Sequence, residues 1–252
     1  MGRIIAIANQ KGGVGKTTTA VNLAACMAAA DRRVLLVDLD PQGNATQGLG
    51  IDKNAIENTL YDVLVNEVPI AEAIQPTEIA NLAIIPSNRE LVGAEVELVS
   101  MNGREGLLRS ALASVQGTYD YLFVDCPPSL SLLTVNGLTA AEGVIIPLQC
   151  EYYALEGLSE LLQTIIRVRD NLNAGLSVLG VLLTMYQHTN LARQVIDDVR
   201  GHLGAKVFQT IIPRNVTLSE APSFGKPVIY YDLKSAGAQA YLALAREVIA
   251  RG

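Results

Sequence analysis

The stretch that decides the fold runs from Ile4 to Leu23 and reads IIAIANQKGGVGKTTTAVNL. Its first part, Ile4 to Ala8, is short, apolar and rich in β-branched residues, the pattern of a buried strand. Asn9 and Gln10 lead into KGGVGKTTT, Lys11 to Thr19, and a helix-like run follows from Thr17 to Ala30. Gly12, Gly13 and Gly15 let the backbone turn with its N–H groups pointing inward, and the start of the helix adds the positive end of its dipole. A triphosphate fits such a nest, with Lys16 on the β- and γ-phosphates and the Thr17 hydroxyl on Mg²⁺. Nine consecutive motif residues in the order strand, loop, helix leave little room for a chance glycine-rich turn.

Outward from this loop, further apolar runs recur at Val34 to Val37, Leu82 to Ile85, Tyr121 to Val124, Val144 to Leu148, Val178 to Leu183 and Val207 to Ile212. Helix-like stretches alternate with them: a segment near Arg104 to Val115, then Leu155 to Asn171, Ala192 to Leu203 and Ala236 to Ile249. The alternation predicts an α/β fold, a doubly wound, mostly parallel sheet with helices on both faces. At 252 residues, one domain spanning 1–252 is the expectation. Residues 52 to 80 show the weakest pattern and are read as a helical surface insertion.

Half of the residues are hydrophobic and 17% are charged, which excludes disorder. No apolar run reaches membrane-spanning length and no cleavable leader precedes the loop, so a cytoplasmic protein is expected. Cys26, Cys126 and Cys150 are odd in number and lack metal-ligand spacing, so they read as reduced core residues. A net charge of −6 argues against a nucleic-acid partner. Its distribution qualifies that: residues 190–252 hold eight Lys and Arg against five Asp and Glu.

Parallel sheets bind ligands at the carboxyl ends of their strands, and two such ends carry acids. Val34 to Val37 runs into DLDPQGNAT, Asp38 to Thr46, and Tyr121 to Val124 runs into Asp125 and CPPS. Acids beside a triphosphate are costly unless they manage metal or water. Four apolar residues ending in Asp125, downstream of a phosphate loop, form the pattern whose carboxylate holds a water on Mg²⁺. This makes Thr17 and Asp125 candidates for the metal.

The loop departs from the common GxxxxGK[ST] form, which would place Gly at position 10; here Gln10 stands there and Lys11 precedes a double glycine. KGGxGKT with its extra lysine resembles the deviant Walker A branch of the P-loop NTPases. The further segments LLVDLDPQGNAT, FVDCPPSL, PLQCEYYALEGL (Pro147 to Leu158), IPRN and EAPSFGKP extend that resemblance over essentially the whole chain, to the ParA/Soj chromosome-partitioning ATPases. The resemblance implies that ATP with Mg²⁺ is bound by Gly12, Gly13, Val14, Gly15, Lys16, Thr17 and Thr18. It further implies that Met185, Pro213 and Arg214 face the base and ribose, and that Glu151 lies near a dimer seam. Catalytic roles fall to Lys16, to Asp40 as the residue positioning the attacking water, and to Lys11, which reaches the partner's phosphates in an ATP-dependent homodimer; Asp38 joins Thr17 and Asp125 in the metal set by supporting the Mg²⁺ shell. Pro41, Gly43 and Asn44 then belong to switch I, and Cys126, Pro127, Pro128 and Ser129 to switch II.

The same resemblance implies non-specific binding of double-stranded DNA, a ParB-like centromere-binding partner that stimulates hydrolysis, nucleoid association, and no membrane attachment. Candidate DNA contacts are Arg193, Arg200, Lys206 and Lys226, with Arg214 also in the basic quarter. Relatives often carry Arg where this chain has Thr217 and His188. Three rivals share the fold, one of them an electron-transfer protein like the nitrogenase iron protein, which would need a second cysteine at the dimer axis beside Cys126. A MinD-like positioning ATPase would add a basic amphipathic tail, where this sequence stops at Ala250-Arg251-Gly252; a metabolic ligase would want its own substrate carboxylate and lysine set. An extra amino-terminal DNA-reading domain is not expected, because the loop already begins at Lys11.

Overall fold

The computed structural model describes residues 2–151 and 154–251; the Tyr152-Tyr153 part of the Pro147–Leu158 motif lies outside them. In chain order the strands are β1 (Arg3–Ile7), β2 (Val34–Asp38), β3 (Gln75–Pro76), β4 (Leu82–Ile85), β5 (Tyr121–Asp125), β6 (Gly143–Gln149), β7 (Ser177–Tyr186) and β8 (Val207–Pro213). They form one sheet in the order β3-β4-β2-β5-β1-β6-β7-β8, parallel throughout except for β3, which runs antiparallel to β4. All seven strands expected from the sequence are present.

The helices are α1 (Lys16–Ala29), α2 (Asn44–Gly48), α3 (Leu60–Val65), α4 (Ile70–Ala73), α5 (Leu91–Glu97), α6 (Leu107–Ala113), α7 (Leu132–Ala140), α8 (Ala154–Asn171), α9 (Asn190–Leu203), α10 (Val216–Glu220), α11 (Val228–Tyr231) and α12 (Ala236–Arg251). Alternate strand residues feed two cores. Ile4, Ala6, Leu35, Val37, Leu122 and Val124 pack beneath the α3 to α9 side. Ile5, Ile7, Val34, Leu36 and Phe123 pack against the side that holds α1 and α12. A strand buried on both faces has no polar side to show, which is why these runs read as continuous apolar segments.

Two sequence expectations change. Residues 52–80 are not a surface insertion: Leu60, Val63, Leu64, Ile70 and Ala73 are buried in the core, and Gln75–Pro76 adds the edge strand. The segment from Arg104 opens as a 3₁₀ turn, Arg104–Gly106, before α6 begins. Asn136 joins the two, its Nδ2 donating to Arg104 O at 2.7 Å and its Oδ1 accepting from Leu108 N at 3.2 Å.

Candidate nucleotide and metal site

Between β1 and α1 the chain turns through Gly13 and Gly15, whose φ angles of 73° and 89° lie in the left-handed region that side chains beyond glycine rarely enter. The loop is fastened from behind by residues far away in sequence. Asn9 Nδ2 donates to Pro147 O at 2.7 Å, while its Oδ1 accepts from Lys11 N at 3.0 Å. Thr184 Oγ1 donates to Val14 O at 2.9 Å. The cradle is thus anchored to β6 and β7 as well as to its own strand, so little ordering remains for a ligand to impose.

Lys16 is buried, and its Nζ donates to Lys11 O at 3.0 Å. Burial lowers its pKa, and the negative charges of Asp125 and Asp40 offset part of that. Asp38 and Asp125 are register partners on adjacent strands and both are fully buried. Asp38 is fully used: Oδ2 accepts from Thr46 N at 2.8 Å and from Thr46 Oγ1 at 2.7 Å, and Oδ1 accepts from Asp40 N at 3.3 Å. Burial still pushes its carboxyl up, against those bonds. Asp125 differs, since among the described residues neither carboxylate oxygen has a partner in good hydrogen-bond geometry, the Thr17 hydroxyl being the one nearby donor that acts on it. Burial first, and then the charge of Asp38, raise its pKa well above the ordinary carboxylate range; the nearby Thr17 hydroxyl offsets only part of this.

A buried carboxylate without a donor is expensive. Placed beside Lys16 and the Thr17 hydroxyl, it accounts for itself as the acceptor for water held on a cation. Mg²⁺ fits this setting, because it keeps several waters and leans on substrate phosphates instead of a full protein cage. Among the described residues no group of three His, Cys, Asp or Glu side chains is placed to hold a metal by itself.

Asp40 is buried, and its Oδ1 accepts from Gln42 N at 2.9 Å. The segment after it is held by Lys53 Nζ donating to Gln42 O at 2.7 Å and by Gly43, where a Cβ would stand 2.6 Å from Ser87 O. On the other side, Cys126 N donates to Ile7 O at 3.1 Å, and Pro128 is the neighbour that a Cβ on Gly12 would meet, at 4.0 Å. The segment expected to act as switch II therefore borders the loop directly. All three cysteines are free and buried, as expected.

Met185, Pro213 and Arg214 come together with Gly15 and Thr18 around a cavity of about 280 Å³. Met185 adopts φ 52°, and Arg214 N donates to Tyr186 O at 2.9 Å. Sequence reasoning missed Asn215 in this cavity, whose Oδ1 is buried and unpartnered; its signal was only its place inside IPRN. A second cavity of about 350 Å³ adjoins it, lined by Thr17, Thr18, Asn22, Gln47 and Lys226. This places Lys226 beside the phosphate loop instead of with the other basic candidates. Arg193 and Arg200 lie two turns apart on α9, and Lys206 follows in the next turn. Glu151 is exposed and pairs with Lys11 Nζ at 3.0 Å, so the deviant lysine points to its own chain's Glu151.

Fold and site together define a P-loop ATPase that works on ATP and Mg²⁺. An AAA domain family model matches residues 2–178. The chain is 58% identical over 252 residues to the chromosome partitioning protein ParA of Myxococcus xanthus, covering 100% of this chain and 89% of that protein. It is 58% identical over 253 residues to the sporulation initiation inhibitor protein Soj of Bacillus subtilis, with both chains covered in full. A solved structure of cobyrinic acid a,c-diamide synthase from Mycobacterium smegmatis with ADP and magnesium superimposes with a TM-score of 0.86 at 41% identity, covering 98% of this chain and 93% of that one. MinD from Pyrococcus horikoshii with Mg-ADP gives a TM-score of 0.79 at 30% identity, covering 98% and 96%. The chain belongs to the ParA/Soj family of chromosome-partitioning ATPases. Among the described residues no helix is long and apolar enough to cross a membrane.

Proposed function

We propose that this protein is an ATP-timed DNA-partitioning switch: ATP joins two copies into a nucleotide-sandwich dimer, the dimer holds double-stranded DNA without sequence preference, and hydrolysis releases it. The observation that carries this reading is the position of Lys11. Lys16 already serves the chain's own cradle from within, whereas Lys11 is 41% exposed and rests on Glu151 at the surface. An exposed ion pair contributes little, so Lys11 is free to leave it for a partner's phosphates, where facing triphosphates need extra positive charge.

In the hydrolytic step Lys16 withdraws charge from the β- and γ-phosphate oxygens as the bond to the leaving group lengthens. Asp40 sits at the end of β2 and orients the attacking water. Thr17 and Asp125 would hold Mg²⁺, Asp125 through a bound water, with Asp38 fixing the frame through Thr46. When bound, Mg²⁺ supplies Lewis acidity to the phosphate oxygens. Pro127 and Pro128 stiffen the link from Asp125 to the surface that a second copy meets. A ParB-like partner would accelerate hydrolysis. Arg193, Arg200 and Lys206, doubled in the dimer, would contact DNA phosphates at the nucleoid, in the cytoplasm.

The test is light scattering coupled to gel filtration with ATP, with ADP and without nucleotide. Asp40→Ala should accumulate as an ATP-bound dimer, and Lys11→Ala should bind ATP yet stay monomeric. DNA binding by the Asp40→Ala dimer should fall with salt at a log–log slope of roughly −4 to −5, for two or three phosphate contacts per protomer. A monomeric Asp40→Ala, or equal DNA binding without ATP, would overturn the reading. The likeness to a cobyrinic acid diamide synthase makes a ligase the second reading; ATP turnover that depends on an added carboxylic acid and amine donor would favour it.

A further inference from the structure

At the end of the sheet opposite the nucleotide loop, the amino ends of β1, β5 and β6 border a polar cleft of about 670 Å³. Three arginines line it: Arg3 at the start of β1, and Arg32 and Arg33 just before β2. Residues 1–189 hold 11 Lys and Arg against 20 Asp and Glu, so three of those eleven cations gather in one place within an acidic stretch.

Their partners are unequal. Arg33 is committed to Asp120: Nη2 and Nε donate to Asp120 Oδ1 and Oδ2 at 2.8 and 3.3 Å, and its backbone N donates to Oδ2 at 2.8 Å. Asp120 is thereby consumed as well. Arg3 makes no side-chain hydrogen bond or ion pair among the described residues, and its Nη1 is enclosed without a partner. Guanidinium N–H groups shut away from water without an acceptor are rare, because losing hydration uncompensated is costly. The other carboxylate in the cleft, Glu142, accepts from Gln116 Nε2 at 3.2 Å and forms no ion pair with Arg3. Arg32 is exposed at the rim, where its charge helps lower the Asp120 pKa, and it forms no close ion pair among the described residues. An Arg3 guanidinium with no acceptor among the described residues, beside a second one that forms no close ion pair, matches the oxygens of a phosphate group.

We propose that this cleft is a second anion site, taking the phosphate group of a small phosphorylated molecule on Arg3 with Arg32 closing over it. The volume exceeds a bare phosphate, and Tyr119 and Tyr121 line the same cleft, which offers aromatic surface to whatever body the phosphate carries. Inorganic phosphate and a phosphate ester share the chemistry that Arg3 reads, and they separate by affinity.

The experiment keeps the nucleotide loop filled with ADP and Mg²⁺, and titrates first inorganic phosphate and then AMP at fixed ionic strength. The readout is the ¹⁵N-labelled Arg3 side-chain Nε–H resonance, assigned through Arg3→Lys. Saturable movement of this resonance is expected. AMP binding more tightly identifies an ester as the ligand, and equal affinities identify free phosphate. Arg32→Gln should weaken binding by about tenfold, the effect of one lost charge-assisted contact. Glu142→Gln removes a repelling carboxylate and should tighten it, an opposite sign that damage to the fold would not produce. A shift that stays linear to high concentration, indifference to both substitutions, or movement only with a DNA duplex would overturn the proposal.

Discussion

Replacing Asp125 with Asn separates the cost of this carboxylate from its use. In the wild type both oxygens are buried with no well-placed donor among the described residues, and Asp38 stands beside it on the neighbouring strand. An unsatisfied buried charged acceptor costs at least about 1–3 kcal/mol. Asn keeps the shape, removes the charge and its repulsion with Asp38, but leaves an amide imperfectly satisfied and takes a stabilising charge from Lys16. The net gain for the ligand-free protein is about 1 kcal/mol, which for a chain of this size raises Tm by about 2–4 °C. With ligand the sign reverses. ATP and Mg²⁺ at a hundredfold excess over Kd add about 2.7 kcal/mol to the wild type, a rise of roughly 5–10 °C. Asp125→Asn should lose most of that rise, because the acceptor for metal-bound water is gone. Differential scanning fluorimetry with and without ATP and Mg²⁺ reads both quantities. If the ligand-free variant melts below the wild type, or its ligand-induced rise is undiminished, the assignment of Asp125 fails.

Gly180 should tolerate no side chain: a Cβ there would stand 2.5 Å from Phe208 Cε2 and 2.9 Å from Arg251 Nη1, so Gly180→Ala should cost about 1–3 kcal/mol by overpacking. An unchanged urea midpoint would refute this. Asp120, held at a pKa of about 2 by the Arg33 side chain and backbone N–H, is depressed below its unfolded value. Its contribution is therefore present above the unfolded pKa of 3.8 and lost as pH falls toward 2. The stability gap between wild type and Asp120→Asn, from urea titrations, should be flat from pH 7 to 5, narrow below pH 4 and shrink with added salt; a gap that widens in acid would contradict it.

What the sequence made legible follows from where each signal sits. The phosphate loop is contiguous, so Lys11 to Thr19 carries its own meaning, and the seven buried strands announce themselves as apolar runs. Helix α7 escaped because it has no polar side: Leu133, Thr134 and Asn136 through Ala140 are all buried, which leaves no 3.6-residue alternation to detect. Strand β3 is two residues long and contains Pro76, which an edge tolerates and a central strand would not. The ties from Asn9 to Pro147 and from Thr184 to Val14 link residues more than a hundred positions apart, and no local pattern records such a pair. Lys226 belongs to the basic last quarter by sequence, and the turn at Ala221–Phe224 that precedes it folds back over α2, a placement no local pattern records. Gly225 meets Gly50 there so closely that a Cβ on Gly225 would stand 2.6 Å from Gly50 Cα.

The electrostatic tension at the site is a product of topology. Because β2 and β5 are parallel neighbours in register, each ending in aspartate, Asp38 and Asp125 arrive side by side at the ligand-binding end of the sheet. Because β5 also pairs with β1, Asp125 lies level with Ile7, one strand end away from the loop that carries Lys16. No side chain needed to travel for this arrangement; the strand order alone produces it. Thr46 then satisfies Asp38 from within the fold, whereas among the described residues only the nearby Thr17 hydroxyl acts on Asp125, and only in part. On the proposed assignment this asymmetry is what would make the site responsive: Asp38 is already held through Thr46, and Asp125 would gain when a cation and its water arrive. A fold that satisfied both would bind Mg²⁺ and ATP with less difference between its empty and loaded states, and differential stabilisation is the only means by which a ligand shifts a conformational equilibrium.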